Sequence, residues 1–474
     1  MSRIKTQKAK SDLEKQHKEA QRLIDMFQLG NFNGVIHEAK KLLKQFPRNS
    51  EIHNIMGAAL RKIGEHSIAL QFFKKSIALN GNYAEAYNNV GNTFRDLGET
   101  EKAIKAFKTA VKLAPNMPQA YYNLGLLFNR TIQFEIALPY LIKATQIKPD
   151  YTAALNELGI CYKFLGLYDL ALKTLQSAIK LNNNFADAHN NLGTVYQDQA
   201  NLEAARISFG MALSIDPTHW DAVWNMSQTA DDIHEAKKWI DMAQKIRPSS
   251  TQTILTKAAI DYYLGDEDLY NNLKNSDLKS HSYMRSFEWV FNLPRLPKIY
   301  FHRWSFFDAM LDICDKSRVM YEFGVWRGEA FKYLMKAFSK GYGFDTFEGL
   351  PETWHSEKAG TYSSNGSIPF VEGGEFIAGR FEDTLPLFFS STRPMASIIN
   401  FDADLYSSTI CALQNARPVI DENTILIFDE FIINNFWEAD EYKALNEFCE
   451  SNGYFYEVLA ISFATKQVAV RLIT

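Results

Sequence analysis

Cysteine is scarce in this chain. Cys161, Cys314, Cys411 and Cys449 are the four in 474 residues, and no two lie close together. That spacing excludes a disulfide framework and a cysteine-based zinc site. No apolar run is long enough to cross a bilayer. The first residues, MSRIKTQKAK, are polar and basic rather than leader-like. A soluble, cytoplasmic protein without a membrane span is therefore expected. The net charge is only −4, which gives no signal for a nucleic-acid or membrane partner. With 46% hydrophobic and 22% charged residues, the composition excludes extensive disorder. The dinucleotide fingerprint G-x-G-x-x-G is also missing.

The charge that is present is uneven. Residues 301–474 hold 14 Lys/Arg against 25 Asp/Glu, a net of −11, which leaves +7 for the first 300. An acidic C-terminal part suits a cation site better than a phosphate site, although a solvated acidic surface gives the same count.

The N-terminal half repeats with a period of 34. Gly57, Gly91, Gly125, Gly159 and Gly193 keep that spacing, as do Val35, Ala69, Ala103, Ala137, Ala171 and Ala205. Pro47, Gly81, Pro115, Pro149, Asn183 and Pro217 mark the turns in the same register. Each unit accommodates two antiparallel helices that touch at the small residues. Over about residues 14–250 this resembles the tetratricopeptide repeat family. About seven units are expected, the first and last degenerate. Residues 251–300 read as capping helices and a linker, with the prolines of Asn292–Lys298 breaking helix.

Such a solenoid presents a concave face built from the first helix of each unit. Asn89, Asn123, Asn191 and Asn225 fall there, interrupted by Ile55 and Glu157. They resemble the asparagine ladder of the O-linked N-acetylglucosamine transferase repeats, which implies a protein or peptide partner. An asparagine amide both donates and accepts, so it can pair with a peptide backbone or with a neighbouring helix.

From residue 301 the pattern changes to short apolar runs alternating with amphipathic helices, the sign of an α/β domain over 301–474. The stretch Ser317–Met335 reads as a strand (Val319, Met320, Tyr321) ending in Glu322, then the turn Gly324 to Gly328, then a helix. Small residues there let backbone approach a ligand at the carboxyl edge of a sheet. A second strand from Gly341 ends in Asp345, 23 residues after Glu322, where an acid can accept both ribose hydroxyls. Residues 353–372 form a long polar loop, read as a substrate lid carrying Trp354, His355 and Tyr362. A third strand begins at Gly374, followed by a helix near Asp383 and Thr384. A fourth, around Ile398 and Ile399, ends in Asp402 and Asp404. A fifth ends in Asp429 and Glu430. Clustered carboxylates keep their charges only with a cation or with altered protonation, and oxygen ligands suit Mg²⁺ or Ca²⁺. The alternative is that these acids cap helices or pair with Arg380 or Arg327. A C-terminal hairpin is expected at the sheet edge.

The ordered blocks EFGVWRG, GFDTFEGLPE, GRFEDTLP, FDADLYSST and IFDEF, within about residues 317–450, resemble the macrocin O-methyltransferase family. The resemblance implies a Rossmann-like class I methyltransferase that uses S-adenosylmethionine (SAM) on sugar hydroxyls. It implies that Glu322, Gly324 and Gly328 hold the amino-acid end of SAM, Asp345 the ribose, and Gly379, Arg380, Phe381 and Glu382 the adenine side. Asp402, Asp429 and Glu430 are implied as Mg²⁺ ligands, with Glu430 standing where the family has Asp. Asp402, Asp404 or His355 is expected to take the proton of the acceptor. Two other classes stand beside this: a binding scaffold with an inactive or SAM-sensing domain, and a glycosyltransferase. The lack of a separate sugar-nucleotide domain opposes the latter.

Overall fold

The computed structural model describes residues 2–355 and 357–473, and residues 2–13 through their backbone alone. The chain divides into two compact units, 1–195 and 196–474, with the division inside the helix Ala186–Asp198.

The first unit is a succession of antiparallel helix pairs, such as Ala84–Asp96 with Thr100–Leu113 and Pro118–Arg130 with Phe134–Ile147. The small residues sit where the helices meet. A Cβ on Gly57 or Gly91 would lie 2.7 or 2.5 Å from the ring of Phe73 or Phe107. On Gly125 or Gly159 it would lie 2.4 or 2.5 Å from Leu141 or Leu175. The opposing alanines, Ala69, Ala103, Ala137 and Ala171, have no exposed surface. The 34-residue period thus records close contact within each pair.

In the second unit, further helices lead into one eight-stranded sheet. The strands are β1 (Lys298–Tyr300), β2 (Val319–Phe323), β3 (Gly341–Asp345), β4 (Gly374–Ala378), β5 (Ala396–Phe401), β6 (Ile425–Phe428), β7 (Phe455–Ser462) and β8 (Val468–Ile473). Their order is β1-β7-β8-β6-β5-β2-β3-β4, and all run parallel except β8. Parallel strands with helical crossovers make this a Rossmann-like α/β domain, and the order reverses direction between β2 and β5. The hairpin expected at the edge is antiparallel, but β8 lies inside the sheet, between β6 and β7. The three-residue β1, read in sequence as linker, covers β7 and forms the edge.

One row of phenylalanines runs in register across the four adjacent strands β3, β2, β5 and β6. Phe344, Phe323, Phe401 and Phe428 are mutual register partners, fully buried, with successive ring centroids 5.1, 5.4 and 4.8 Å apart. Each is followed by a candidate site residue: Asp345, Gly324, Asp402 and Asp429.

The helices before the sheet share its core. Ala236, Ile240, Leu255, Ala259, Met284 and Phe287 belong to one apolar cluster with Phe323, Phe401 and Phe428. The Trp304 indole N–H donates to the carbonyl of Gln197 at 2.7 Å. The helices Thr251–Tyr263 and Ser282–Phe291 are thus packed into the second unit rather than strung between two bodies.

Candidate active site

The carboxyl ends of β2, β3, β5 and β6 put their following residues on one edge of the sheet at its reversal point, where open α/β sheets form a crevice. After β2 the backbone turns sharply. Gly324 has φ +92°, and a Cβ there would lie 1.9 Å from the Asp402 carbonyl oxygen, so only glycine fits. Gly328 has φ +79° and precedes the helix Glu329–Leu334.

Glu322 ends β2 in the interior, 1% exposed, and its Oε2 has no protein partner. Burial holds its carboxyl well above the usual range. Asp345 is half-buried and already engaged. Its Oδ2 accepts from the N–H groups of Val325 and Trp326, both at 2.7 Å, and its Oδ1 from Phe347 N–H at 2.6 Å. These bonds clamp the β2 turn onto β3 and take three of the carboxylate's roughly four lone-pair sites. Gly379, at φ +139°, donates its N–H to the Asp345 carbonyl at 2.9 Å. Phe381 packs edge-on against Phe323. The exposed Arg380 and Glu382 side chains approach each other at 3.5 Å. Glu322, Gly324, Gly328, Asp345 and the 379–382 segment therefore line one side of the edge.

The acids of β5 and β6 occupy the other side. Asp402 donates its N–H to the Phe323 carbonyl at 2.8 Å. Asp404 adopts φ +59°, a left-handed conformation uncommon outside glycine that clusters at functional sites. Burial first, and neighbouring acids next, raise both carboxyls well above their ordinary values. Glu441, without exposed surface, accepts the Glu430 N–H at 3.0 Å, and burial raises it likewise.

The Mg²⁺ set expected from the resemblance does not fit this arrangement. Asp429 accepts from Arg303 Nη2 at 2.8 and 2.7 Å through its two oxygens, and from Gln467 Nε2 at 2.6 Å. Both oxygens of Glu430 take Lys466 Nζ, at 3.0 and 2.8 Å. Among the described residues no group of three or more His, Cys, Asp or Glu is arranged to hold a metal ion. The cations bonded to these acids are Arg303 and Lys466, whereas Arg380 approaches Glu382. Arg303 and Lys466 escape sequence reasoning because 126 and 36 residues separate them from their partners. One signal was available: Lys466 is the sole basic residue between Lys443 and Arg471 in an acidic stretch.

His355, at φ +50°, approaches Asp440 Oδ2 with Nε2 at 2.8 Å, and its ring stacks on Phe436 at 4.6 Å. It ties the loop 353–372 to the segment that precedes the helix Glu441–Asn452. In the repeat unit the asparagines bond to each other across successive pairs. Asn89 Nδ2 donates to Asn54 Oδ1 at 3.0 Å, Asn123 to Asn88 at 2.9 Å, and Asn191 to Asn156 at 2.9 Å. Asn225 lies in the helix Trp220–Gln228 of the second unit.

Comparison with known proteins agrees with both halves of this description. Residues 91–131 and 164–200 match a TPR repeat family, and 72–105, 118–151 and 186–219 match tetratricopeptide repeat families. The chain is 30% identical to 8-demethyl-8-(2,3-dimethoxy-alpha-L-rhamnosyl)-tetracenomycin-C 4'-O-methyltransferase of Streptomyces olivaceus. That match covers 24% of this chain and 52% of the enzyme, so the chain spans about half the length of this curated relative. Among solved structures it is similar to YrrB, a TPR protein with an unusual peptide-binding site, at 26% identity and TM-score 0.34, covering 39% of this chain and 95% of that one. It is also similar to the APC/C hetero-tetramer Cut9–Hcn1, at 19% identity and TM-score 0.45, covering 50% and 48%. No described helix is long and apolar enough to cross a membrane. The chain thus joins tetratricopeptide repeats, across residues 72–219, to a methyltransferase-like α/β domain.

Proposed function

We propose that this chain is a SAM-dependent O-methyltransferase acting on a hydroxyl of a glycan or glycosylated molecule, working in the cytoplasm. Its repeats recruit a protein partner or a polymeric substrate. One observation carries the reading: a buried, unpartnered Glu322 oxygen beside a glycine-only turn at the sheet's reversal point. An anionic or hydrogen-bonding group left single in the interior is costly unless a ligand meets it, and the ammonium of SAM is such a ligand. The likeness to a sugar O-methyltransferase supports the acceptor class.

Bound SAM supplies an electrophilic methyl group on a sulfonium. The chain's own residues do the rest. Glu322 faces the amino-acid end, Gly324 and Gly328 keep the backbone low, and Asp345 holds the turn and offers its one remaining lone pair to the ribose. The segment 379–382 flanks the adenine. Asp402 or Asp404, whose carboxyls burial holds above the usual carboxylate range, receives the acceptor proton. His355, held by Asp440, is the third candidate base and positions the lid. Mg²⁺ enters no step, because Arg303, Gln467 and Lys466 already bond the acids that would hold it. Free cysteines at all four positions suit a reducing compartment.

A second reading, a protein-binding scaffold with a SAM-sensing domain, gains from Asp345 being engaged by three backbone N–H groups. Calorimetric titration of the full chain with SAM, followed by methyl transfer from labelled SAM to a panel of glycosides, separates them. Binding with transfer establishes the enzyme. Binding without transfer to any acceptor favours the sensor, and no binding removes both.

A further inference from the structure

Six carboxyl groups crowd the carboxyl edge of β2, β5 and β6: Glu322, Asp402, Asp404, Asp429, Glu430 and Glu441. An acidic crowd of this kind ordinarily recruits a divalent ion. Here two side chains of the same chain reach the place first. Arg303 follows the edge strand β1 and starts the helix Arg303–Ile313, whose N-terminus is capped by His302 through Nδ1 to the Ser305 N–H at 3.0 Å. Its Nη2 bridges both oxygens of Asp429, and its charge also bears on Asp402 and Glu322. Lys466 projects from the turn between β7 and β8 at φ +62°, a conformation uncommon outside glycine, and spans both oxygens of Glu430. Gln467, without exposed surface, fills the remaining side of Asp429. Each of the two acids after β6 thus has both oxygens committed to a fixed positive charge.

We propose that Arg303 and Lys466 are built-in replacements for a divalent cation: they neutralise Asp429 and Glu430, orient the acid edge, and make the site independent of Mg²⁺. Two features of the chain agree with this. The Glu430 side chain is long enough to set both of its oxygens on Lys466 Nζ. The edge strand β1 delivers Arg303 to the crevice, so the addition that widens the sheet also supplies the charge.

The inference rests on the geometry of the acids and stands apart from methyl transfer. SAM binding is read in the same samples, so failure of the methyltransferase reading shows separately. The test uses the full chain, stripped with EDTA, and titrated with Mn²⁺ followed by proton relaxation and with Mg²⁺ by calorimetry and thermal melting. The expected result is no saturable Mn²⁺ site and no Mg²⁺ stabilisation, where an ion at a hundred times its Kd would raise Tm by about 5 °C or more. Arg303→Met should create a Mn²⁺ site that Arg303→Lys does not, because only the first removes the charge. Should Arg303→Met fail to fold, Lys466→Met against Lys466→Arg makes the same comparison at a partly exposed turn. Micromolar Mn²⁺ binding to the unaltered chain, abolished by Asp402→Asn, overturns the proposal. So does a folded charge-removing variant that binds no more Mn²⁺ than its charge-preserving counterpart.

Discussion

Two residues next to each other in sequence carry opposite electrostatic roles. Arg303 compensates an acid, whereas His302 must stay neutral: it is 4% exposed, burial lowers its pKa from 6.5 to about 4, and nearby Arg206 adds to the effect. Because its folded pKa lies below the unfolded value, it contributes stability that is present above pH 6.5 and is lost as pH falls towards 4. The difference corresponds to on the order of 3 kcal/mol. Thermal melts between pH 7 and pH 4 should show this loss, and His302→Gln should flatten it. The buried acids act with the opposite sign. Glu322, Asp402, Asp404 and Glu441 have raised carboxyls, so their contribution is present at low pH and is lost as pH rises through their folded values. Asp404→Asn should therefore lessen the decline in Tm as pH rises while removing one candidate base from turnover. Gly324→Ala should cost about 3 kcal/mol or more, since the new methyl meets backbone at a positive φ. It should abolish SAM binding in the titration described above.

At the scale of elements, legibility depended on whether the pattern was local. The helix pairs were open to reading because a contact between neighbouring helices recurs every 34 residues. The strands from β2 to β6 were legible because each apolar run is short and ends in Gly or an acid. A stronger signal lay unused in a recurring two-residue word, Phe followed by Asp in Phe344–Asp345, Phe401–Asp402 and Phe428–Asp429 and by Gly in Phe323–Gly324. Its first letter is the in-register aromatic row and its second the site. What stayed hidden was non-local. The three residues of β1 make no pattern of their own, and the place of β8 inside the sheet follows from pairing with β6 and β7. The asparagines were visible, but not their partners at a spacing of 35. The bond from Asn89 to Asn54 braces consecutive repeats, so Asn89→Ala should lower the stability of the repeat unit by about 1 kcal/mol. If the same variant also loses a captured partner while Asn54→Ala does not, Asn89 serves recognition as well.

At the scale of the whole chain, the boundary suggested by repeat counting and the boundary of compact packing differ. Counting places it at residue 250, whereas the second compact unit begins at Tyr196. Ala236 and Ile240 belong to the cluster that includes the sheet phenylalanines. A fragment beginning at Asn184, in the turn before the helix Ala186–Asp198, is expected to fold and melt cooperatively. A fragment beginning at Thr251 should instead be poorly soluble and lack a sharp transition. Circular dichroism of the two purified fragments decides this.

The position of β8 sets a clock on folding. It pairs with β6 on one side and β7 on the other, yet every other strand precedes it in the chain. Until synthesis has passed residue 473, the sheet exists as two separate pieces, each with an open edge able to pair with another copy. The repeat unit needs no such wait, since each helix pair closes on a neighbour made moments before. A ribosome carrying this chain therefore displays finished helix pairs while the sheet behind them is still open.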